Sequence, residues 1–140
     1  MANKPTVLLI EDERLLLKAT AMVLKHAGFE ILSANNGQTG LELASSEIPD
    51  AILLDIMMPG MDGWEVLKIL KNQDLTSGIP VIIFTAKEHL DGYRMSLKAG
   101  AADYLTKPFD NDDLIKRLRC VITQENCEAS RRELEENHAD

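Results

Sequence analysis

Strand-like apolar runs alternate along the whole chain with segments of helical periodicity. The runs are residues 6–10, 30–34, 51–54, 81–85 and 103–106. Val7–Ile10, Ile52–Leu54 and Val81–Phe84 are apolar without alternation, which is typical of strands covered on both faces of a parallel sheet. This alternation constrains the fold more than any other feature of the sequence, because it predicts buried parallel strands joined by helices.

The segments between these runs carry apolar residues at helical spacing. The five stripes are Leu15, Leu16, Ala19, Met22, Val23 and Ala27; Leu41, Ala44 and Ile48; Val66, Leu67 and Leu70; Leu90, Tyr93 and Leu97; and Leu114, Ile115, Leu118, Val121 and Ile122. Each stripe is one-sided, as a helix lying on a sheet requires. Asp110 is a suitable N-cap for the fifth helix.

The resulting order is a strand followed by a helix, repeated five times. Because crossovers between parallel strands are right-handed, this order predicts a doubly wound α/β fold with a five-stranded parallel sheet and helices on both faces. The flavodoxin-like strand order 2-1-3-4-5 is expected. It places a ligand crevice at the carboxyl ends of the first and third strands, where the winding direction changes.

Polar side chains follow four of the predicted strands at their carboxyl ends. They are Glu11 and Asp12 after the first strand, Asp55 after the third, Thr85 at the end of the fourth and Lys107 after the fifth. Taken singly, each has a common structural explanation as a cap, a strand residue or a solvated charge. Their occurrence in register instead indicates a site for a cation and a phosphoryl group.

Asp55 is the candidate nucleophile, since a carboxylate can attack phosphorus and form an acyl phosphate. A hard cation such as Mg²⁺ prefers oxygen ligands and would offset the repulsion between two anions. Asp12 and Asp55 can supply carboxylates, Glu11 can act directly or through water, and the backbone carbonyl of Met57 can add a further ligand.

Lys107 and Thr85 are candidates for contacts with the incoming group. Lys107 can neutralise a phosphoryl oxygen as a point charge, and the Thr85 hydroxyl can donate a hydrogen bond to another. Ala86, the next residue, is small and leaves room for the group.

Composition excludes some function classes and suggests a boundary. A net charge of −8 over 140 residues argues against direct nucleic-acid binding, and no apolar stretch approaches the length that spans a bilayer. Without a signal-peptide pattern, a cytoplasmic location is expected. Residues 1–124 are predicted to form one domain, and the acidic residues 125–140 a C-terminal extension or linker.

Cys120 and Cys127 lie seven residues apart on what reads as one helical segment. A continuous helix would separate them by about 10 Å, which is too far for a disulfide. Two free thiols are therefore expected.

Four motifs together resemble the receiver domain of two-component response regulators, the chemotaxis regulator type included. They are Leu9–Glu13, Leu54–Gly63, Phe84–Ala86 and Ala99–Phe109, and the resemblance covers roughly residues 5 to 124. It implies a signalling switch rather than an enzyme with a separate substrate. Such a domain assists its own phosphorylation and dephosphorylation.

The resemblance also implies roles for individual residues. Asp55 would accept a phosphoryl group from a histidine kinase or a histidine phosphotransfer protein, and Mg²⁺ would be held by Glu11, Asp12, Asp55 and the Met57 carbonyl. Thr85 and Lys107 would contact phosphoryl oxygens, with a cis peptide bond between Lys107 and Pro108. Glu11 departs from the aspartate that is common at its position.

A conformational switch follows from the same resemblance. Thr85 would be coupled to Tyr104, an aromatic side chain that moves between exposed and buried positions. The surface formed by the fourth helix, fifth strand and fifth helix would then change shape for a downstream protein or output domain. A homodimer through this surface is also possible.

Three other functions fit parts of the pattern. A flavin- or nucleotide-binding domain would share the architecture, but Glu11–Glu13 replaces the glycine-rich phosphate loop that such domains use. A receiver-like interaction module that is never phosphorylated would not need the acids and the lysine. An acyl-aspartate phosphatase usually has a second aspartate two residues after the nucleophile, where this chain has Met57.

Overall fold

The sheet has five parallel strands in the order β2-β1-β3-β4-β5, which confirms the predicted topology. A computed structural model describes residues 4–86 and 98–123 of the chain. The strands are β1 (Thr6–Ile10), β2 (Glu30–Ala34), β3 (Ala51–Asp55), β4 (Val81–Ala86) and β5 (Asp103–Lys107).

Four helices lie in the described ranges. They are α1 (Arg14–His26), α2 (Gly37–Glu47), α3 (Gly63–Asn72) and α4 (Asn111–Thr123), the last being the fifth of the predicted helices. The predicted stripe of Leu90, Tyr93 and Leu97 falls outside the described residues, as do the extension at 125–140 and the end of the predicted domain at residue 124.

Two hydrophobic layers cover the sheet, one on each face. Leu8, Ile52 and Ile83 pack with α2 and α3 on one side, and their strand neighbours Leu9, Leu53 and Ile82 pack with α1 and α4 on the other. Successive residues of a strand point to opposite faces, so a strand with both faces covered has no polar positions. The non-alternating runs of the sequence have this origin.

The stripes predicted for α3 and α4 are largely confirmed. Val66, Leu67 and Leu70 are fully buried, and so are Leu114 and Leu118. Asp110 caps α4 as expected, since its Oδ1 accepts the N–H of Asp112 at 2.9 Å. These helices carry one apolar face each, and the sequence identifies that face unambiguously.

The stripe predicted for α1 is wrong at several positions. Leu15 and Met22 are 79% and 71% exposed, whereas Thr20, Ala21 and Leu24 are buried. Three consecutive leucines at residues 15–17 allow a helical stripe to be drawn on either of two faces, and packing selects the face centred on Ala21 and Leu24. In α2, Ile48 is likewise 46% exposed, at a left-handed C-cap.

The expectation of free thiols is wrong for Cys120, which is disulfide-bonded. Cys127 lies outside the described residues.

No helix in the described part of the chain combines the length and the apolar character that crossing a bilayer demands.

Candidate functional site

The carboxyl ends of β1, β3 and β5 bring three charged side chains together. Lys107 Nζ lies 3.0 Å from Glu11 Oε1 and 3.2 Å from Asp55 Oδ2. These partners are 96 and 52 residues away in sequence, and the parallel sheet alone places their strand ends at one edge. Three of the predicted site residues are therefore in direct contact.

Asp12 completes an acidic cluster with Glu11 and Asp55. One ligand atom from each of the three lies within 4.8 Å of the others, so the cluster could hold a metal ion. Glu11 and Asp55 are each only 2% exposed, while Asp12 is the accessible member. Acidic clusters on a surface are common, but two buried carboxylates beside each other need compensating positive charge.

The second oxygen of Glu11 gives an independent sign that a ligand belongs here. Glu11 Oε2 is buried and, while Glu11 and Asp55 are both ionised, accepts no hydrogen bond from the described residues. Buried carboxylate oxygens are normally satisfied, because leaving one unpaired is costly. The donor set consists of hard oxygen atoms, which fits Mg²⁺ or a similar cation.

The loop after β3 fixes the orientation of Asp55. The N–H of Met57 donates to Asp55 Oδ1 at 2.9 Å, while the Met57 side chain is 52% exposed. Asp55 thus has one oxygen held by the backbone and the other near Lys107.

Burial and neighbouring charges shift the pKa values of Glu11 and Lys107. Burial raises the pKa of Glu11 to about 8, and the neighbouring Asp55 adds to the rise, against the opposing effect of Lys107. Burial would lower the pKa of Lys107, but its hydrogen bond to Glu11 and the charges of Asp55 and Glu11 outweigh that effect and raise it. Lys107 Nζ also lies 5.0 Å from the centre of the Phe84 ring, a cation–π contact.

Thr85 and Tyr104 lie on adjacent strands beside the charged cluster. Thr85 is fully buried and its hydroxyl has no partner within the described ranges, while the register pairs Thr85 with Thr106 and Ala86 with Lys107. Tyr104 is 1% exposed, and burial raises its pKa. The Lys107–Pro108 peptide bond is cis, as the resemblance implies.

The capping interpretation of the acid pair does not account for Glu11. The N-cap of α1 is Glu13, which makes no side-chain capping hydrogen bond, and the Glu11 carboxylate bonds to Lys107 instead.

A buried ion pair at the opposite end of β5 from Lys107 was not predicted from the sequence. Arg117 Nη1 donates to both carboxylate oxygens of Asp103 at 3.0 Å, and Arg117 Nε donates to Asp113 at 3.0 Å. Arg117 and Asp103 are 7% and 4% exposed. The only local signal is the spacing of Asp113 and Arg117, which lie four residues apart on one helix face.

The parallel sheet has helices on both faces, and an acidic cluster that could hold a metal ion lies where the winding direction changes. These features define a domain of the doubly wound α/β class, whose ligands generally bind at this edge of the sheet. Residues 7–119 match the family model described as the response regulator receiver domain. The chain belongs to this family. Membership implies phosphorylation-dependent signalling within two-component systems, in which receiver domains interact with histidine kinases and output domains.

Curated relatives include proteins of two lengths. The chain is 41% identical over 117 residues to the phosphate regulon transcriptional regulatory protein PhoB of Pseudomonas aeruginosa, a match that covers 84% of this chain and 51% of PhoB. It is also 41% identical over 117 residues to protein PilH of the same organism, covering 83% of this chain and 96% of PilH. The chain thus spans about half the length of PhoB and nearly all of PilH.

Solved structures agree with this assignment. A putative response regulator from Chloroflexus aurantiacus superimposes with a TM-score of 0.82 at 30% identity, covering 86% of this chain and 98% of that one. The receiver domain of the Francisella response regulator 1452 gives a TM-score of 0.80 at 34% identity, with 86% and 98% coverage. Receiver domains of this family are signalling switches rather than enzymes in the usual sense.

Proposed function

We propose that this domain is switched by phosphorylation of Asp55, with a histidine kinase or a histidine phosphotransfer protein as the donor. The observation that carries the proposal is the contact of Lys107 with both Glu11 and Asp55 in a largely buried cluster. A nucleophilic carboxylate, further acids for a cation and a fixed positive charge are the groups that acyl phosphate formation needs.

The residues that would hold Mg²⁺ are Glu11, Asp12, Asp55 and the backbone carbonyl of Met57. When bound, Mg²⁺ would neutralise the approaching phosphoryl oxygens. The unpaired Glu11 Oε2 supports the assignment, because a cation would satisfy it.

In the proposed transfer, an Asp55 oxygen forms a bond to phosphorus as the bond from phosphorus to the donor nitrogen breaks. The Met57 N–H holds Asp55 Oδ1 in position, and Lys107 Nζ is placed to pair with a phosphoryl oxygen. The buried Thr85 hydroxyl, which lacks a partner among the described residues, would donate to a second oxygen.

The same proposal includes a switch from Thr85 to Tyr104. The Tyr104 ring is buried here, which is the inward orientation of such a switch. Next to it, between β5 and α4, lies a groove of about 200 Å³ lined by residues that include Tyr104, Leu105, Phe109 and Arg117. This surface, together with the segment that precedes β5, would meet a downstream protein, an output domain or a second copy of the chain.

The wider biological setting is also a proposal. We place the receiver domain at residues 1–124 in the cytoplasm, with 125–140 as an acidic extension or linker and no nucleic acid bound by the domain itself. Relatives named as transcriptional regulators, such as PhoB, make an output domain that acts on transcription one candidate partner.

Phosphorylation can be tested with a small-molecule donor. Incubation with acetyl phosphate and Mg²⁺ should add about 80 Da to the intact mass of the wild-type protein, the mass of one phosphoryl group. Asp55→Asn should gain no adduct, and excess chelator should suppress the adduct on the wild type. An unmodified wild type, or an equal gain by the variant, would contradict the proposal.

The same experiment separates the alternatives. A module that is never phosphorylated would stay at its original mass, and a phosphatase would release inorganic phosphate with many turnovers. Met57, in place of a second acid, favours a stored phosphoryl group over turnover.

A further inference from the structure

Gly63, the first residue of α3, lies against the backbone that leaves the phosphoacceptor strand. A Cβ atom built at Gly63 would stand 2.3 Å from Ile56 Cα, 2.6 Å from the Asp55 carbonyl oxygen and 2.9 Å from Ile56 Cγ2. Real Cβ atoms essentially never come within 3.0 Å of another atom, and the two nearest atoms here are backbone. No side-chain rotation could therefore relieve the overlap.

The approach is held in place by hydrogen bonds on both sides of the glycine. The N–H of Gly63 donates to the Ile56 carbonyl at 3.2 Å, and Asp62 Oδ1 accepts the N–H of Glu65 at 3.0 Å, which caps α3. The first turn of α3 is thus docked on the peptide unit that directly follows Asp55.

Two parts of the site depend on that peptide unit. The Met57 N–H, one residue further, donates to Asp55 Oδ1 and orients the carboxylate. The Met57 carbonyl, on the same short loop, is the proposed backbone ligand of the cation. A shift of the loop would move both together.

We propose that Gly63 is a positioning residue for the phosphoryl and metal site: its missing side chain lets the first turn of α3 clamp residues 55–57 in the geometry that metal binding and phosphoryl transfer require. This inference rests on the proposed function. Displacements of about 1 Å at a reacting centre can cost on the order of a hundredfold in rate.

Gly63→Ala tests whether the close docking of α3 positions residues 55–57, and Gly78→Ala is the matched control. Gly78 is exposed, its Cβ would meet nothing within 4 Å and its φ is not positive, so alanine should be accepted there without change. We expect Gly63→Ala to weaken Mg²⁺ binding at least tenfold in calorimetric titration and to slow adduct formation with acetyl phosphate at least tenfold. Gly78→Ala should match the wild type in both measurements.

A second variant avoids the risk that Gly63→Ala does not fold. Asp62→Ala removes the exposed cap of α3 and loosens its first turn without introducing an overlap, and Asn36→Ala removes the equivalent cap of α2, where Asn36 Oδ1 accepts the N–H of Thr39 at 2.8 Å. We expect Asp62→Ala to weaken Mg²⁺ binding two- to fivefold and Asn36→Ala to leave it unchanged, although both lose a similar amount of stability.

The outcomes distinguish the inference from the function on which it rests. If the wild type binds no Mg²⁺ and gains no adduct, the proposed function fails. If the wild type does both while folded Gly63→Ala and Asp62→Ala bind Mg²⁺ and react as well as their controls, Gly63 serves packing only and the inference is overturned.

Discussion

Glu11 shows how the surroundings of one side chain set its chemistry. It is 2% exposed, contacts Lys107 and lies beside Asp55. Burial, together with the neighbouring Asp55, raises the pKa of Glu11 to about 8, because the Lys107 ammonium at 3.0 Å only partly offsets these effects. Metal binding and proton release are therefore expected to be coupled at this residue.

Glu11 should make the stability of the metal-free protein depend on pH. Its pKa in the folded state lies above the ordinary value, so its contribution is complete below about pH 4.5 and is lost as the pH rises towards 8. The free energy of unfolding should fall by up to about 1.4 kcal/mol per pH unit across this window. Urea unfolding of the wild type and Glu11→Gln should show this slope in the wild type only.

Glu13→Gln is the control for that comparison, because it removes an exposed carboxyl two residues away. It should keep the wild-type dependence on pH. An unchanged slope in Glu11→Gln would show that folding does not raise the pKa of Glu11.

Mg²⁺ affinity should rise between pH 6 and pH 8 for the same reason, since a carboxyl must lose its proton to act as a ligand. Calorimetric titrations in two buffers of different ionisation enthalpy should reveal proton release on binding. Glu11→Gln should release fewer protons, and equal release by the two proteins would contradict this assignment.

At the scale of elements, the buried Asp103–Arg117 pair joins the start of β5 to the middle of α4. Arg117 donates to Asp103 and to Asp113 at once, and Asp103 Oδ1 also accepts the N–H of Tyr104. The strand that ends in Lys107 is therefore anchored at its other end by a charge pair. The neighbouring charges raise the pKa of Arg117 despite its burial, so it stays ionised.

Arg117→Ala should lower the free energy of unfolding by about 3–5 kcal/mol, because it leaves the Asp103 carboxylate buried without its partner. Arg119→Ala, on the exposed side of the same helix, should cost about 1 kcal/mol, the usual value of one hydrogen bond, here donated to the Ala27 carbonyl. Urea unfolding measures both. The double variant Arg117→Met, Asp103→Leu should recover part of the loss, and no recovery would show that packing rather than charge dominates.

Strands and helices could be predicted where their sequence signal is local. The strands and most helices follow from periodicity within a few residues, and the grouping of the four charged residues of the candidate site follows from their positions at strand ends. The buried face of α1 could not be predicted, because its three adjacent leucines fit two helix faces. Only packing against Val7, Leu53 and α4 selects one of them. The Asp103–Arg117 pair joins residues fourteen apart, so no helical or strand period reports it.

At the scale of the whole molecule, a cation at the acidic cluster should stabilise the fold, because only the folded chain brings the three acids together. At a Mg²⁺ concentration one hundred times the dissociation constant, the gain should be about 2.7 kcal/mol. Urea unfolding with MgCl₂, against NaCl at equal ionic strength, measures it. Asp12→Asn should lose most of the gain, and a wild type that gains nothing beyond the NaCl control would argue against a metal site.

The convergence of the site could be predicted because parallel strands end at one edge of the sheet. Its detailed contacts could not, since the Lys107–Glu11 bond depends on side-chain geometry and the close approach of Gly63 depends on how α3 docks. In the sequence, Asp62-Gly63 resembles an ordinary turn. Only the short distance between the backbone at Gly63 and the backbone at residues 55–56 explains why residue 63 carries no side chain.

The span of the Lys107–Glu11 contact has a consequence during synthesis. Glu11 leaves the ribosome early, but its cationic partner is translated 96 residues later, after β4. Until then, β1 and β3 would bring acids together without the lysine that balances them. The acidic cluster of a nascent chain therefore lacks its balancing lysine until the last strand, β5, has been made.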